Sequence, residues 1–189
     1  MVHPGCRPGG LTYLHPRRPT RQAAGVLEDL LSANRRYAAG FALAGLPARA
    51  AKGIAIVTCM DTRLEPLAML GLAPGEAKIL RNAGGRVTND VMRSLALATH
   101  FLGVEEVVVL QHTGCALAHE QDAVVAERLA ADGVASPEAV DWLAMPDPDE
   151  ALHADVERLR TSGLLPPATR VEGWRYDIVD GSIARIVTA

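Results

Sequence analysis

Five side chains of types that bind metal ions or carry charge in active sites occur in two short motifs. They are Cys59, Asp61, Arg63, His112 and Cys115. The first three form the pattern Cys-x-Asp-x-Arg, and the last two form His-x-x-Cys. Cysteine and histidine are both zinc ligands, and three protein ligands with one open position are typical of a catalytic zinc. The motifs together predict a metal site that leaves room for a fourth ligand.

Both motifs follow segments with the composition of buried β-strands. Residues 54–57 and 107–110 are continuous runs of alanine, valine, isoleucine or leucine. Such runs are typical of parallel strands that are covered on both faces. The carboxyl ends of neighbouring parallel strands lie at one edge of the sheet, where open α/β sheets place their active sites. Two neighbouring strands would therefore bring Cys59 to His112 and Cys115.

Each of these residues has an ordinary structural explanation when it is considered alone. A single buried cysteine is most often a small hydrophobic side chain. An aspartate and an arginine two residues apart usually form a surface ion pair of little energetic value. A single histidine is more often structural than a metal ligand. The coincidence of all five residues at two strand ends is what favours a catalytic zinc.

The remaining pattern predicts an α/β fold with a mainly parallel β-sheet flanked by helices and a C-terminal antiparallel edge hairpin, since strands alternate with amphipathic helices. Residues 1–19, with four prolines, are predicted to be a flexible N-terminal arm. Residues 20–189 are predicted to be a single α/β zinc-enzyme domain. The predicted helices are residues 20–39 with a Thr20 cap, 65–71, a helix capped by Thr88 or Asn89, 118–132, 136–145 and 148–161. The predicted strands are 54–58, 78–81, 106–111, 174–179 and 182–187, the last two joined by a type I′ turn at Asp180-Gly181.

Gly84 and Gly85 follow the predicted second strand directly. Two adjacent glycines permit positive φ angles and a close approach of the backbone to a ligand. They are therefore candidate substrate-binding residues, although a tight turn needs the same residues. Both interpretations stay open from the sequence.

Composition narrows the class of partner. The net charge of −3 gives no general attraction to nucleic acid or to a membrane surface. Apolar runs are too short to span a bilayer, and the N-terminus lacks the apolar segment of a signal peptide. Three cysteines argue against a disulfide framework. We therefore expect a cytoplasmic protein with no nucleic-acid or membrane partner.

Three motifs in this order resemble those of the β-class carbonic anhydrases. They are Cys59-Met60-Asp61-Thr62-Arg63, Arg81-Asn82-Ala83-Gly84-Gly85 and His112-Thr113-Gly114-Cys115. The resemblance implies one Zn²⁺ per chain on Cys59, His112 and Cys115, and a catalytic dyad of Asp61 and Arg63. It implies reversible hydration of carbon dioxide to bicarbonate and a proton, and a homodimer or dimer of dimers. The family often has glycine after the second cysteine, whereas this chain has Ala116.

Asp61 has two candidate roles. It could be the fourth zinc ligand in a closed site. Held instead by Arg63 in a bidentate pair, it could accept a hydrogen bond from zinc-bound hydroxide and orient it toward the substrate. Three alternative functions use the same residues: a carbon disulfide or carbonyl sulfide hydrolase, a non-catalytic binding module with a structural zinc, and a redox thiol protein.

Overall fold

The computed structural model describes residues 23–189, and the flexible arm and the Thr20 cap predicted from the sequence lie outside this part of the chain. Two compact units are formed, whose described parts are residues 23–47 and 48–189. The first contains helix α1, Ala23–Ala39. The single domain expected for residues 20–189 stays a prediction. All the functional residues named from the sequence belong to the second unit.

The second unit is built on one five-stranded sheet with the order β2-β1-β3-β4-β5. Its strands are β1 Ile54–Cys59, β2 Ala77–Asn82, β3 Glu106–His112, β4 Arg170–Tyr176 and β5 Ile183–Val187. Strands β1 to β4 are mutually parallel, and β5 runs antiparallel to β4. The helices of this unit are α2 Pro66–Met69, α3 Asn89–Phe101, α4 Asp122–Ala131 and α5 Pro148–Thr161. The predicted fold class is confirmed.

The main core lies between the sheet and the helices α3 and α5. Val57 and Val109 are paired in register on β1 and β3, and neither is exposed. They pack in one cluster with Leu95 of α3 and Leu152 of α5. Burying one such side chain fully stabilises the fold by roughly 1.5–3 kcal/mol. Because both faces of β1 and β3 are covered, these strands appear in the sequence as continuous apolar runs.

Helix α5 begins where the sequence predicts. Oδ1 of Asp147 accepts hydrogen bonds from the backbone N–H groups of Asp149 and Glu150, at 2.9 and 3.1 Å. Pro148 occupies the first turn, where no N–H donor is needed. This cap fixes the start of the helix whose buried face packs against the sheet in the main core.

The helix predicted for residues 136–145 is wrong. Only a 3₁₀ turn forms there, at Pro137–Ala139. Ser136 and Leu143 have φ angles of 52° and 53°, in the left-handed region. The Asp122 carboxylate accepts hydrogen bonds from the backbone N–H of Trp142 and of Ala144, at 2.9 and 2.8 Å. These long-range bonds replace the helical ones, and no local pattern indicates them.

The predicted type I′ turn is also wrong, although β4 and β5 do pair antiparallel. A type I′ turn needs positive φ at both central residues. Gly181 has a φ of 78°, but Asp180 is not among the described residues with positive φ. The connection is instead a wider loop, closed by hydrogen bonds from Asp177 N to Ser182 O and from Gly181 N to Asp177 O.

Among the described residues, every helix is too short or too polar to cross a bilayer.

Candidate metal centre and its Asp-Arg pair

The two cysteines and the histidine are brought together by the pairing of β1 with β3. Cys59 ends β1 and His112 ends β3. Thr58 is in register with Leu110, and its Oγ1 donates a hydrogen bond of 2.7 Å to the Leu110 carbonyl oxygen. The tips of the strands are therefore adjacent. The turn that follows β3 returns Cys115 to the same place.

Cys59, His112 and Cys115 each offer one ligand atom, and these three atoms lie within 4.8 Å of one another. All three residues are at most 5% exposed. Nδ1 of His112 lies 2.9 Å from the Thr113 carbonyl oxygen. We assign it as the protonated nitrogen, because a carbonyl can only accept. Nε2 then carries a free lone pair, and it is buried without a hydrogen-bond partner.

An unpartnered buried nitrogen beside two sulfurs is the donor set that suits zinc. Leaving a buried acceptor unpaired costs about 1–3 kcal/mol, and a metal bond removes that cost. Ligating histidines commonly donate their other N–H to a carbonyl, as His112 does here. The residues therefore fit a zinc ion held by Sγ of Cys59, Sγ of Cys115 and Nε2 of His112.

The two thiols differ in acidity because they share a hydrogen bond. The bond from Cys115 is the largest cause that lowers the pKa of the Cys59 thiol, and His112 lowers it further. The same bond, together with burial, raises the pKa of Cys115. The shared bond therefore favours loss of the first proton from the sulfur of Cys59. A zinc ion would bring the second proton off as well, since coordinated thiols are deprotonated.

Asp61 and Arg63 form a bidentate ion pair next to these ligands. Oδ1 of Asp61 accepts hydrogen bonds from the backbone N and from Nε of Arg63, at 2.9 and 2.8 Å. Oδ2 accepts a bond of 2.6 Å from Nη2 of Arg63. These hydrogen bonds lower the pKa of Asp61 to about 2. The carboxylate is therefore ionised at all physiological pH values.

The ion pair is attached to the loop that carries the second cysteine. Nη2 of Arg63 also donates a hydrogen bond of 2.9 Å to the carbonyl oxygen of Gly114. Oδ2 of Asp61 lies 3.8 Å from Nε2 of His112. Gly114 has a φ of 63°, and a Cβ there would lie 2.9 Å from a carbon of Ile178. Only glycine fits this turn without strain or displacement.

Residues 54–148 match the family model described as carbonic anhydrase. That span begins with β1 and contains both motifs and the whole metal centre. The chain belongs to the β-carbonic anhydrase family.

Three relatives of this β-carbonic anhydrase illustrate the family relationship. Beta-carbonic anhydrase 1 of Mycobacterium tuberculosis is 34% identical over 165 residues, which are 85% of this chain and 98% of that protein. The crystal structure of carbonic anhydrase from Streptococcus mutans is 38% identical, with a TM-score of 0.81 over 87% of this chain and 99% of that one. A carbon disulfide hydrolase of Acidianus is 32% identical over 146 residues, or 65% of this chain and 72% of that protein.

The five residues of the two motifs are all brought to one sheet edge in this carbonic anhydrase, and the two glycines lie in the turn that follows β2. Gly85 has a φ of 65°, and a Cβ there would lie 3.0 Å from the backbone nitrogen of Cys59. Both Gly84 and Gly85 are buried. Close packing of this turn against β1 explains the need for glycine at position 85. The substrate-binding role of both glycines stays a prediction.

The sequence analysis gave no role to Arg81. Its Nε donates a hydrogen bond of 3.0 Å to the Cys59 carbonyl oxygen, and its Nη2 donates one of 2.6 Å to the Asp61 carbonyl oxygen. Arg81 thus fixes the backbone that carries the first ligand and the carboxylate. In the structure Arg81 lies on β2 in register with Thr58 of β1, one residue before Cys59. Its position next to the site becomes evident only when β1 and β2 are known to pair.

Proposed function

We propose that this β-carbonic anhydrase binds one zinc ion per chain through Cys59, His112 and Cys115 and catalyses the reversible hydration of carbon dioxide to bicarbonate. The supporting observation is the convergence of three buried ligand atoms within 4.8 Å beside a carboxylate that is already paired. A structural zinc site would use a fourth protein ligand. Among the described residues, the convergent group has only three.

A zinc ion held by these three residues would supply a hydroxide nucleophile, because it would lower the pKa of water at its open position. The chain's own residues then have separate tasks. Asp61 is ionised and has acceptor capacity left on Oδ2, so it can hold and orient the attacking hydroxyl group. Arg63 keeps that carboxylate turned toward itself and neutralises its charge. The apolar packing around Cys59 and Cys115 limits the water that reaches the ligands.

The paired state of Asp61 supports an open site. Both carboxylate oxygens accept hydrogen bonds from Arg63. Coordination by Asp61 would require breaking at least one of these charge-assisted bonds, which are among the stronger ones in proteins. We therefore propose that Asp61 orients the nucleophile and does not act as a fourth ligand at neutral pH.

Metal analysis combined with a hydration assay tests this proposal. We expect one zinc per purified chain and rapid hydration of carbon dioxide by stopped flow. The His112→Ala variant should lose both, because Nε2 has no substitute. Arg93→Ala, which changes an exposed arginine of α3, is the control and should keep both. A wild-type protein without zinc, or a zinc-loaded protein without hydration activity, would refute the proposal.

Hydrolysis of carbon disulfide is the second candidate activity. It is favoured by the 32% identity to the Acidianus carbon disulfide hydrolase. The same ligands and the same carboxylate would serve, since carbon disulfide is also a small linear molecule with an electrophilic carbon. Rates for carbon dioxide, carbonyl sulfide and carbon disulfide should be compared on one preparation. A higher kcat/KM for carbon disulfide would replace hydration with this activity.

We further propose a homodimer or a dimer of dimers, in which another copy covers α1. Val26, Leu27, Leu30 and Leu31 share one face of this helix, and each is 54–64% exposed in the single chain. Contiguous exposed apolar side chains of this kind mark interaction surfaces. Light scattering should report a dimer or a tetramer, and Leu27→Glu combined with Leu30→Glu should reduce the mass. A wild-type monomer at assay concentration would refute this assembly.

Both sulfurs must be reduced to bind zinc, which agrees with the cytoplasmic location expected from the sequence.

A further inference from the structure

A buried ion pair outside the catalytic group joins the glycine turn to helix α5. Arg86 is 8% exposed and Asp155 is 3% exposed. Nε of Arg86 donates a hydrogen bond of 2.6 Å to Oδ2 of Asp155, and Nη2 donates one of 3.3 Å to Oδ1. Burying two charges carries a desolvation cost that often exceeds their attraction. The presence of the pair is therefore weak evidence that it stabilises the fold.

On one side, the backbone of Arg86 is linked through Asn82 to the strand end next to Cys59. The side chain of Asn82 forms hydrogen bonds with both backbone groups of Arg86. Its Oδ1 accepts from Arg86 N at 2.9 Å, and its Nδ2 donates to Arg86 O at 2.8 Å. Met60 N donates to the Asn82 carbonyl oxygen at 2.9 Å. Between them, Gly85 is pressed against the Thr58–Cys59 backbone. A shift of Arg86 is thus transmitted to the strand end that carries the first sulfur.

On the other side, Arg86 holds the segment that supports the loop of Cys115. Its Nη1 donates a hydrogen bond of 2.5 Å to the carbonyl oxygen of Leu143. Two residues later, Met145 N donates to Leu117 O at 2.8 Å, and Ala118 N in turn donates to Cys115 O at 3.1 Å. This segment therefore braces the turn that follows the second sulfur.

We propose that Arg86, oriented by Asp155, is a positioning residue that sets the distance between the sulfurs of Cys59 and Cys115. The guanidinium of Arg86 contacts α5 and the Leu143 segment, and the backbone of the same residue closes the glycine turn. The planar, forked guanidinium can bond in these directions at once, whereas the ammonium group of lysine is a compact point charge. This inference rests on the proposed zinc site, because the distance matters only if both sulfurs share one ion.

The test measures metal binding in Arg86→Lys, Arg86→Met and Asp155→Asn. Zinc affinity is obtained by competition with a chromophoric chelator, and the thiolate-to-metal absorption bands are recorded after cobalt substitution. We expect both Arg86 variants to bind zinc about tenfold more weakly or worse, since changes to groups that orient metal ligands cost about 10- to 100-fold. The cobalt bands should shift in the same variants. Asp155→Asn keeps a hydrogen-bond acceptor and should show a smaller change of the same sign.

Glu172→Gln is the matched control. Glu172 is 5% exposed and accepts hydrogen bonds from Arg185 and Trp174. It pairs with Val108, on the opposite face of the sheet from the main core and away from the carboxyl end of β3. Glu172→Gln should lower the unfolding temperature without changing zinc affinity or the cobalt spectrum.

The outcomes separate this inference from the proposed function. Wild-type zinc affinity and cobalt bands in folded Arg86→Lys and Arg86→Met would overturn the positioning role while leaving the zinc site intact. Loss of the fold in both variants, seen by circular dichroism, would assign the pair to folding and would also overturn it. A wild-type protein that binds no zinc would instead refute the proposed function.

Discussion

Replacing Arg63 with alanine perturbs the centre without touching any proposed zinc ligand. The change removes two side-chain hydrogen bonds to Asp61 and the bond to the Gly114 carbonyl oxygen. The freed carboxylate stays close to the metal position, because its Oδ2 lies 3.8 Å from Nε2 of His112. We therefore expect the carboxylate to turn and compete for the open zinc position. Hydration activity should fall by about 10- to 100-fold, the usual effect of losing a group that orients a metal-site residue.

The structure also gives the expected change in stability. The pKa of Asp61 falls from 3.8 to about 2, mainly through its hydrogen bond with Arg63, and one pKa unit corresponds to about 1.4 kcal/mol. Solvent screens this interaction, since the Arg63 side chain is 50% exposed, so we expect a loss of only about 1 kcal/mol. The depressed pKa means that this contribution is complete above the unfolded pKa and is lost as the pH falls through about 2. The metal-free variant should therefore be less stable at neutral pH and converge with wild type in acid.

Stopped-flow hydration with an indicator measures the first effect, and urea unfolding of the metal-free protein measures the second. Arg63→Lys keeps the charge but loses the bidentate geometry, so its hydration activity should lie between those of the wild type and of Arg63→Ala. Arg93→Ala controls for the loss of an arginine. Full hydration activity in zinc-loaded Arg63→Ala would show that the pair does not hold Asp61 away from the metal.

Three further changes have outcomes that follow from the structure. Two thiolates cancel the formal charge of Zn²⁺, so bound water should be less acidic than with three imidazoles, and the hydration rate should rise across roughly pH 6 to 9; a flat stopped-flow profile contradicts this. Gly85→Ala should lose more unfolding free energy than Gly71→Ala, because both have left-handed φ angles but only Gly85 would place a Cβ against Cys59 N; equal losses in urea would disprove the contact. Asp147→Ala should cost about 1 kcal/mol by removing the α5 cap, and an unchanged thermal midpoint would count against that cap.

The sequence predicts correctly those parts of the structure that depend on residues close together in the chain. The five motif residues follow two strand ends, and periodicity and caps are sufficient to predict α3 and α5. The failures involve contacts between distant residues. Asp122 reaches across the chain to the N–H groups of Trp142 and Ala144, and so a helix-like segment becomes irregular. Arg86 and Asp155 are separated by 69 positions, and no short motif records a pair at that distance.

The strand order explains why the metal centre lies where it does. From the carboxyl end of β1 the chain passes to β2 on one side, and from the carboxyl end of β3 it passes to β4 on the other side. The two connections leave the sheet in opposite directions, which makes the β1–β3 boundary the topological switch point of the sheet. A crevice opens there because no connection covers the carboxyl ends of both strands. Cys59 and His112 end these two strands. The position of the ligands is therefore a consequence of the topology and of the two motifs together.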